Sequence, residues 1–336
     1  MTIARTAPVG IAPDEVDLSA VLAGIPLISP ILTASGCAAA GRELDQFVDV
    51  TSLGAVVTKS IMLEPRSGRA TPRMAETPSG MLNSIGLQGP GIEHFLEHDL
   101  PWLRRRGARA VVSIAGGSVE EYARLAQRLR GVEGISAIEV NISCPNVEDR
   151  GQVFACNRSA AGAVVHAVRR ATAPGTPVLA KLSPDVTDLV DIAEGCVGAG
   201  ADGLSMINTL LGLVIDTERM RPVLGGVTGG LSGPAIRPVA VRCIWQVHQA
   251  MPEVPILGMG GVRTGVDVLE MVLAGASAVS IGTVLFNDPS APTRIAAELR
   301  DALAARGVAR LADLVGYAHR APDPTPTDRE ELRDDD

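Results

Sequence analysis

The sequence predicts a (β/α)8 barrel, and three observations support the prediction. The chain has 336 residues, a length that suits one large α/β barrel or two smaller domains. Of these residues 46% are apolar and only 2% aromatic, so the core must be aliphatic. Short runs rich in Val, Ile and Leu alternate with longer amphipathic stretches. This alternation is typical of buried parallel strands that are covered by helices.

Eight apolar runs are the predicted barrel strands. They are mostly apolar on both faces, as expected of strands in a buried parallel sheet. In chain order, the predicted strands are 31–34, 55–58, 110–114, 137–140, 178–181, 204–207, 256–259 and 278–281.

Amphipathic stretches between these runs predict the helices. Ser118 and Glu121 match an S-x-x-E capping box, and Tyr122, Leu125 and Leu129 follow at helical spacing. The other predicted helices are 159–170, 185–199, 236–251, 265–274 and 291–305. An open doubly wound sheet is the alternative architecture, but no G-x-G-x-x-G follows the first strand to support it.

Two connections, 60–107 and 208–234, are too long for simple links between a strand and a helix. Long segments of this kind are usually functional or disordered, and on a barrel the functional ones lie at the carboxyl ends of the strands. We predict an N-terminal extension over 1–16, a barrel over 17–312 and a C-terminal segment over 313–336 that ends in an acidic, disordered tail.

Charge and cysteine spacing exclude several classes of protein. The net charge of −8 argues against a nucleic-acid partner. No apolar run reaches the ~18 residues that a membrane span needs, and the first fifteen residues do not resemble a secretory signal, so we expect a cytoplasmic protein. The five cysteines show no C-x-x-C spacing and the histidines form no ligand motif, so no metal site is predicted.

Polar residues follow the fourth predicted strand, at the end where barrels place their active sites. Asn141 and Asn146 flank Cys144 in the run NISCPN. Their amide groups suit a flat ligand with amide and carbonyl edges, and Cys144 is a candidate nucleophile or general base. The plainer alternative is a polar turn with an incidental thiol.

Lysines and glycines end other predicted strands. Lys59 follows the second strand and Lys181 ends the fifth; both favour an anionic ligand, unless the two side chains simply extend into solvent. Asn208 and Thr209 follow the sixth strand. Glycine runs after the seventh and eighth strands are typical phosphate sites, and the run 229–234 could add donors at the start of a helix. Together they predict a phosphorylated ligand such as flavin mononucleotide (FMN).

These segments resemble the class 1 dihydroorotate dehydrogenases, and most of all the catalytic subunit of the NAD-linked subclass 1B. The resemblance covers about residues 17–310, in family order. Its motifs are LTASG (32–36), TKSIMLEPRSG (58–68), NSIGLQGPG (83–91), NISCPN (141–146), KLSPDVTD (181–188), INTLLG (207–212), GGLSGPAIRP (229–238), GMGGV (258–262) and IGT (281–283).

The resemblance implies an FMN-containing barrel that oxidises (S)-dihydroorotate to orotate in de novo pyrimidine biosynthesis. Cys144 falls on the family's base, which removes the C5 proton while a hydride passes from C6 to flavin N5. Lys181 falls where negative charge on the reduced flavin is stabilised. The implied substrate-binding residues are Lys59, Asn83, Asn141, Asn146, Asn208 and Thr209.

The resemblance also implies a set of flavin contacts at the strand ends. These residues are Ala34, Ser35, Lys59, Ser60, Asn141, Lys181, Ile207, Gly233, Gly260, Gly261, Gly282 and Thr283. A loop over 144–157 would carry the base and close over the substrate. This sequence departs from the family pattern at Ala155 and Cys156 in that loop and at Asp185.

In subclass 1B the electrons leave through a second subunit that carries FAD and a 2Fe–2S cluster. This sequence has neither a cluster-binding cysteine pattern nor an NAD fingerprint, so we expect such a partner beside a homodimeric core if NAD is the acceptor. A stand-alone homodimer that uses fumarate is the variant. Two other functions stay open: a dihydropyrimidine (uracil or thymine) dehydrogenase, and a non-catalytic flavin-binding scaffold.

Overall fold

The structure, a computed structural model, describes residues 10–142 and 156–320. The strands of this part of the chain are β1 Ala20–Leu22, β2 Ile25–Leu27, β3 Ile31–Thr33, β4 Val56–Val57, β5 Met74–Thr77, β6 Gly80–Asn83, β7 Ala110–Ile114, β8 Ile135–Asn141, β9 Val178–Leu182, β10 Gly203–Met206, β11 Leu210–Gly212, β12 Ile215–Asp216, β13 Arg221–Pro222, β14 Gly229–Ser232, β15 Ile256–Met259 and β16 Ala278–Ile281.

The helices lie between and after these strands. They are α1 Ile92–His94, α2 Leu100–Arg106, α3 Val119–Leu129, α4 Arg158–Ala171, α5 Leu189–Gly198, α6 Arg237–Ala250, α7 Gly265–Leu273, α8 Val284–Asn287 and α9 Ala291–Ala304. A π-helical turn, Phe95–Asp99, joins α1 to α2. No helix in the two described ranges combines the length and the apolar character that crossing a membrane requires.

The barrel wall is a parallel sheet in the order β3-β16-β15-β10-β9-β8-β7-β4. A parallel bridge between Leu32 and Ala55 joins the first strand of this order to the last and closes the sheet. The predicted barrel is therefore confirmed, and the doubly wound alternative is wrong because an open sheet has two unpaired edges. All eight predicted strands lie in this wall, and 110–114, 256–259 and 278–281 agree to the residue.

Side chains alternate between the barrel interior and the helices, as the two-residue period of a strand requires. Leu179 packs with Leu32 and Leu257 in an interior cluster, whereas the adjacent Val178 packs in the cluster that contains the helices. The hairpin of β1 and β2 contributes Leu22 to the interior cluster. The lower half of the barrel is therefore filled with aliphatic side chains, and the carboxyl ends of the strands are left for a site.

Capping side chains determine where several of the helices begin. The Oγ of Ser118 accepts from the backbone N–H of Glu121 at 3.3 Å, as predicted, but the Glu121 carboxylate accepts from Gly117 rather than from the capping residue. α5 begins at Leu189 and not at residue 185, because Asp188 is extended and its carboxylate accepts from Asp191 N–H.

The two long connections pair with each other. β5 and β6 from the first, and β11 and β14 from the second, form an antiparallel sheet in the order β11-β14-β6-β5, which we call the mouth sheet. The expectation that 229–234 supplies donors at a helix start is wrong for its first four residues, because Gly229–Ser232 is a strand of this sheet. The division of the chain into extension, barrel and tail stays a prediction.

Candidate functional site

A cavity of about 1580 Å³ lies between the carboxyl ends of the barrel strands and the mouth sheet. Every predicted site residue that the structure describes lines this cavity. They are Ala34, Ser35, Lys59, Ser60, Asn83, Asn141, Lys181, Ile207, Asn208, Thr209, Gly233, Gly260, Gly261, Gly282 and Thr283. Cys144 and Asn146 lie outside the described residues.

Strand register brings the polar groups of the wall together. Asn141 at the end of β8 pairs with Lys181 of β9, which in turn pairs with Ser205 of β10. Residues paired in a parallel sheet point to the same face, so these side chains all point into the barrel. Two segments 40 residues apart in sequence therefore deliver an amide and an ammonium group to the same region of the cavity floor.

Asn141 is held by a chain of hydroxyl groups. Its Nδ2 donates to Ser60 Oγ at 2.9 Å, and that hydroxyl is 2.9 Å from Ser113 Oγ and 3.2 Å from Ser35 Oγ. Its backbone carbonyl accepts from Tyr122 Oη at 2.7 Å. The Oδ1 atom of Asn141 is buried and has no hydrogen-bond partner among the described residues. It is a buried acceptor, in a residue that lines the cavity, whose chemistry suits an N–H group.

The Lys181 ammonium has a buried acidic neighbour. Its Nζ lies 3.7 Å from Oε1 of Glu139, and the two side chains are 5% and 0% exposed. Sequence reasoning missed Glu139, because in the run AIEV a single acid among apolar residues is read as part of an ordinary strand. The alternation of the strand, which places Ile138 and Val140 against the helices, was the available signal that Glu139 points inward.

A described thiol also lines the cavity. Burial raises the pKa of Cys37 to about 11, and the positive charges of Lys181 and Lys59 act in the opposite direction. Cys37 is therefore a protonated thiol at neutral pH and does not provide a thiolate there.

Glycine backbone forms the part of the wall after β15 and β16. A Cβ on Gly261, whose φ is +75°, would lie 2.7 Å from the carbonyl oxygen of Gly233. A Cβ on Gly282 would lie 3.1 Å from Cys37 Sγ and 3.2 Å from Ala34 Cβ. Peptide groups are therefore exposed to the cavity without side chains, an arrangement that lets a planar ring or a phosphate approach the backbone closely.

A half-buried ion pair borders the glycine side of the cavity and was not predicted. Arg237 pairs with the carboxylate of Asp267, and its Nε is 3.0 Å from Glu270. The other oxygen of Asp267 accepts from the backbone N–H groups of Arg263 and Thr264. The spacing T-x-x-D at 264–267 was the sequence signal for this capping box.

Of the predicted closing loop, 144–157, the structure describes only the last two residues. Asn157 caps α4 by accepting from Ala160 N–H at 3.0 Å. Cys156 is exposed, and its Sγ lies 3.9 Å from the carbonyl oxygen of Asp185. Asp185 in turn accepts from Leu211 N–H of the mouth sheet at 2.9 Å. The end of the loop is thus next to the strand that brings Thr209 to the cavity.

Fold and site together define a (β/α)8-barrel protein of the enzyme type, with an amide- and lysine-lined cavity at the carboxyl ends of its strands. Comparison with known proteins gives the particular family. The family model described as dihydroorotate dehydrogenase matches residues 17–303, and the chain belongs to this family. The resemblance seen in the sequence motifs is confirmed.

Curated relatives are similar over nearly their whole length. The chain is 51% identical over 306 residues to "Dihydroorotate dehydrogenase B (NAD(+)), catalytic subunit" of Desulforudis audaxviator, covering 91% of this chain and 99% of the relative. It is 51% identical over 300 residues to the protein of the same name from Pelobacter propionicus, covering 89% of this chain and 98% of that one.

A solved structure supports the fold. The crystal structure of DHODH in complex with ferulenol from Eimeria tenella superposes with a TM-score of 0.76, covering 95% of this chain and 91% of that chain. At 22% sequence identity, this match supports a similarity of fold only.

Proposed function

We propose that this chain is the catalytic subunit of an NAD-linked dihydroorotate dehydrogenase, which oxidises (S)-dihydroorotate to orotate with FMN. One observation carries the proposal: a single cavity gathers every described residue that the family motifs assign to substrate or flavin. Relatives 51% identical to this chain, whose names give this activity, support it.

The described residues fit a flavin. The unpartnered Oδ1 of Asn141 suits an N–H of a heterocyclic ring, and the bare backbone at Gly260, Gly261 and Gly282 suits the ring edge and the phosphate. Lys181 would hold positive charge beside the ring. When bound, FMN supplies the hydride acceptor, and the protein supplies orientation and electrostatics.

The substrate would be held by groups from both sides of the cavity. Lys59 on the barrel side pairs with the carboxylate of dihydroorotate, while Asn83 and Asn208 offer amide donors and acceptors to the pyrimidine edge. Cys144 would take the proton from C5, since a thiolate is a better base for a weakly acidic C–H group than a serine hydroxyl. The loop that carries it would exclude water from the reacting atoms.

Electrons from the reduced flavin would pass to a partner subunit. We propose a partner with FAD and a 2Fe–2S cluster on a homodimeric core, because the described residues contain no group of three metal-ligating side chains and the sequence contains no paired cysteine motif. The name "catalytic subunit" of the relatives supports a multi-subunit enzyme. The cytoplasmic location rests on the sequence and stays a prediction.

Anaerobic mixing tests the cofactor and the substrate together. The purified protein is expected to be yellow, to release FMN on denaturation, and to be bleached by dihydroorotate but not by dihydrouracil or dihydrothymine. A colourless protein that FMN does not reconstitute overturns the proposal, and bleaching by dihydrouracil in place of dihydroorotate favours the dihydropyrimidine alternative. Reoxidation by NAD only with a partner subunit present would support the 1B assignment, whereas reoxidation by fumarate alone would support the stand-alone variant.

A further inference from the structure

Glu139 is a fully buried carboxylate inside the barrel, one layer below the cavity. Its neighbours on β8, Ile138 and Val140, pack outward against the helices, so its own side chain points to the barrel axis. Neither carboxylate oxygen has a hydrogen bond among the described residues. Its charge partner is the Lys181 ammonium, 3.7 Å away.

Among the described residues, Lys181 is the cation that an ion-pair distance joins to this carboxylate. Its sheet partners on the two neighbouring strands are uncharged: Ser113 and Leu179 pair with Glu139. Lys181 pairs with Ser205, and Leu179 belongs to the aliphatic cluster of the barrel interior. A buried carboxylate without hydrogen bonds destabilises a fold, and apolar replacements of buried ion pairs are often neutral or stabilising. The packing of the barrel therefore does not require an acid here.

The position of the pair suggests what the acid does. Lys181 lines the cavity, whereas Glu139 lies two residues before Asn141 on its strand and is therefore deeper. A group placed in the cavity is nearer to the ammonium than to the carboxylate, so the positive field that it experiences depends on where the ion pair holds the ammonium. Removing Glu139 would let the ammonium approach the cavity and strengthen that field, and removing Lys181 would remove the contribution of this ammonium.

We propose that Glu139 is a positioning residue for Lys181: the ion pair holds the ammonium at the end of β9, back from the cavity, which keeps the reduction potential of the bound flavin lower than an unrestrained Lys181 would set it. The inference rests on the proposed function, because it requires a flavin beside Lys181. A residue of the barrel interior, Glu139, would thereby influence how readily the bound flavin accepts a hydride.

The test is the reduction potential of the bound flavin in a double-mutant cycle. Wild type, Glu139→Gln, Lys181→Gln and the double variant are equilibrated anaerobically with a reference dye at pH 6.5. At a fixed potential, Glu139→Gln is expected to raise the ratio of reduced to oxidised flavin at least about tenfold, which is a shift of about 30 mV for a two-electron couple. Lys181→Gln is expected to lower this ratio.

The cycle and a matched control separate the proposed role from a structural one. Adding Glu139→Gln to Lys181→Gln is expected to change the ratio less than about threefold, because interacting residues are non-additive. Ser205→Ala removes another buried polar group, on the strand next to Lys181, without changing charge, and it is expected to leave the potential unchanged. An equal shift by Glu139→Gln in both backgrounds would mean that the carboxylate acts on the flavin directly, and it would overturn the positioning role.

Two further outcomes complete the test. If Glu139→Gln binds flavin with an unchanged potential while wild type oxidises dihydroorotate, this inference fails and the proposed function stands. If wild type binds no flavin, both are overturned. Should Glu139→Gln not fold, Glu139→Asp takes its place, because it keeps the charge and withdraws it from Lys181; it is expected to shift the ratio in the same direction by about threefold, and no shift would contradict the inference.

Discussion

The barrel wall and the mouth sheet are built differently. Strands of the wall are parallel and buried on both faces, and Val, Ile and Leu dominate them. Strands of the mouth sheet are antiparallel and partly exposed, and β14, one of its two central strands, begins with two glycines. The side chain of Asn83, in the first long connection, donates to the carbonyl of Gly230 in the second, 147 residues away. The wall thus fixes the cavity floor through local apolar pattern, and the mouth sheet covers it through long-range pairing.

The largest expected effect concerns the loop that follows β8 of the wall. Cys144→Ala is expected to lower steady-state dihydroorotate oxidation by about 10²- to 10⁴-fold, the usual contribution of a general base, while flavin stays bound. Turnover and flavin content are measured on the same preparation. Cys156→Ser is the matched control in the same loop and is expected to leave turnover within about twofold of wild type. If Cys156→Ser lowers turnover as strongly as Cys144→Ala, the base has been assigned to the wrong thiol.

The next effect measures how rigidly the wall is packed. Leu179→Ala removes a fully buried side chain from the interior cluster and is expected to lower the free energy of unfolding by about 2–5 kcal/mol. Leu211→Ala in the mouth sheet is the counterpart, because that side chain is 56% exposed; it is expected to change stability by less than about 0.5 kcal/mol. Urea unfolding at a fixed flavin concentration measures both. Equal losses would mean that the two regions do not differ in packing.

The difference between the regions also decides what the sequence could predict. Strands such as β15 and β16 follow from a few adjacent residues, since an aliphatic run between helices has few other structures to adopt. β14 could not be predicted, because glycine is unfavourable in strands. The two partners of β14 also lie in different long connections, β6 in the first and β11 in the second. Its glycines reflect lack of space: a Cβ on Gly230 would overlap Thr209 Oγ1.

The same distinction applies to the site. Strand ends on the wall could be recognised as a cavity lining, because the carboxyl ends of parallel strands meet at one face of a barrel. The pairing of Glu139 with Lys181 could not, since it depends on which residues of two strands share an inward face. Arg237 and Asp267 were missed for the same reason: their contact joins the starts of two helices 30 residues apart.

A smaller effect is expected from a change inside the mouth sheet. Gly230→Ala would displace Thr209 and disturb the bond from Asn83, so we expect KM for dihydroorotate to rise about tenfold with flavin content unchanged. Steady-state kinetics and flavin release measure the two quantities. Gly198→Ala is the matched control: it lies in α5 with open space around its Cβ, and it is expected to stabilise the protein by about 0.5–1 kcal/mol without changing KM. If KM stays at the wild-type value in Gly230→Ala, the mouth sheet does not position the substrate.

The smallest expected effect concerns two described thiols that differ in their surroundings, Cys37 and Cys156. Cys37 lies at the barrel mouth with a pKa raised to about 11, whereas Cys156 is exposed at the end of the loop. Because only the thiolate reacts with iodoacetamide, alkylation at pH 8 is expected to modify Cys156 first and to leave Cys37 largely intact. The pKa of Cys37 is higher in the folded protein than in the unfolded chain. Keeping this thiol protonated therefore contributes fully to the free energy of unfolding below pH 9. That contribution to stability is lost as the pH rises towards 11. Peptide mapping by mass spectrometry across pH 7 to 10 measures the order of modification. Rapid labelling of Cys37 at pH 8 would mean that Lys59 and Lys181 outweigh burial, and that the cavity floor itself, and not only the loop, can provide a thiolate.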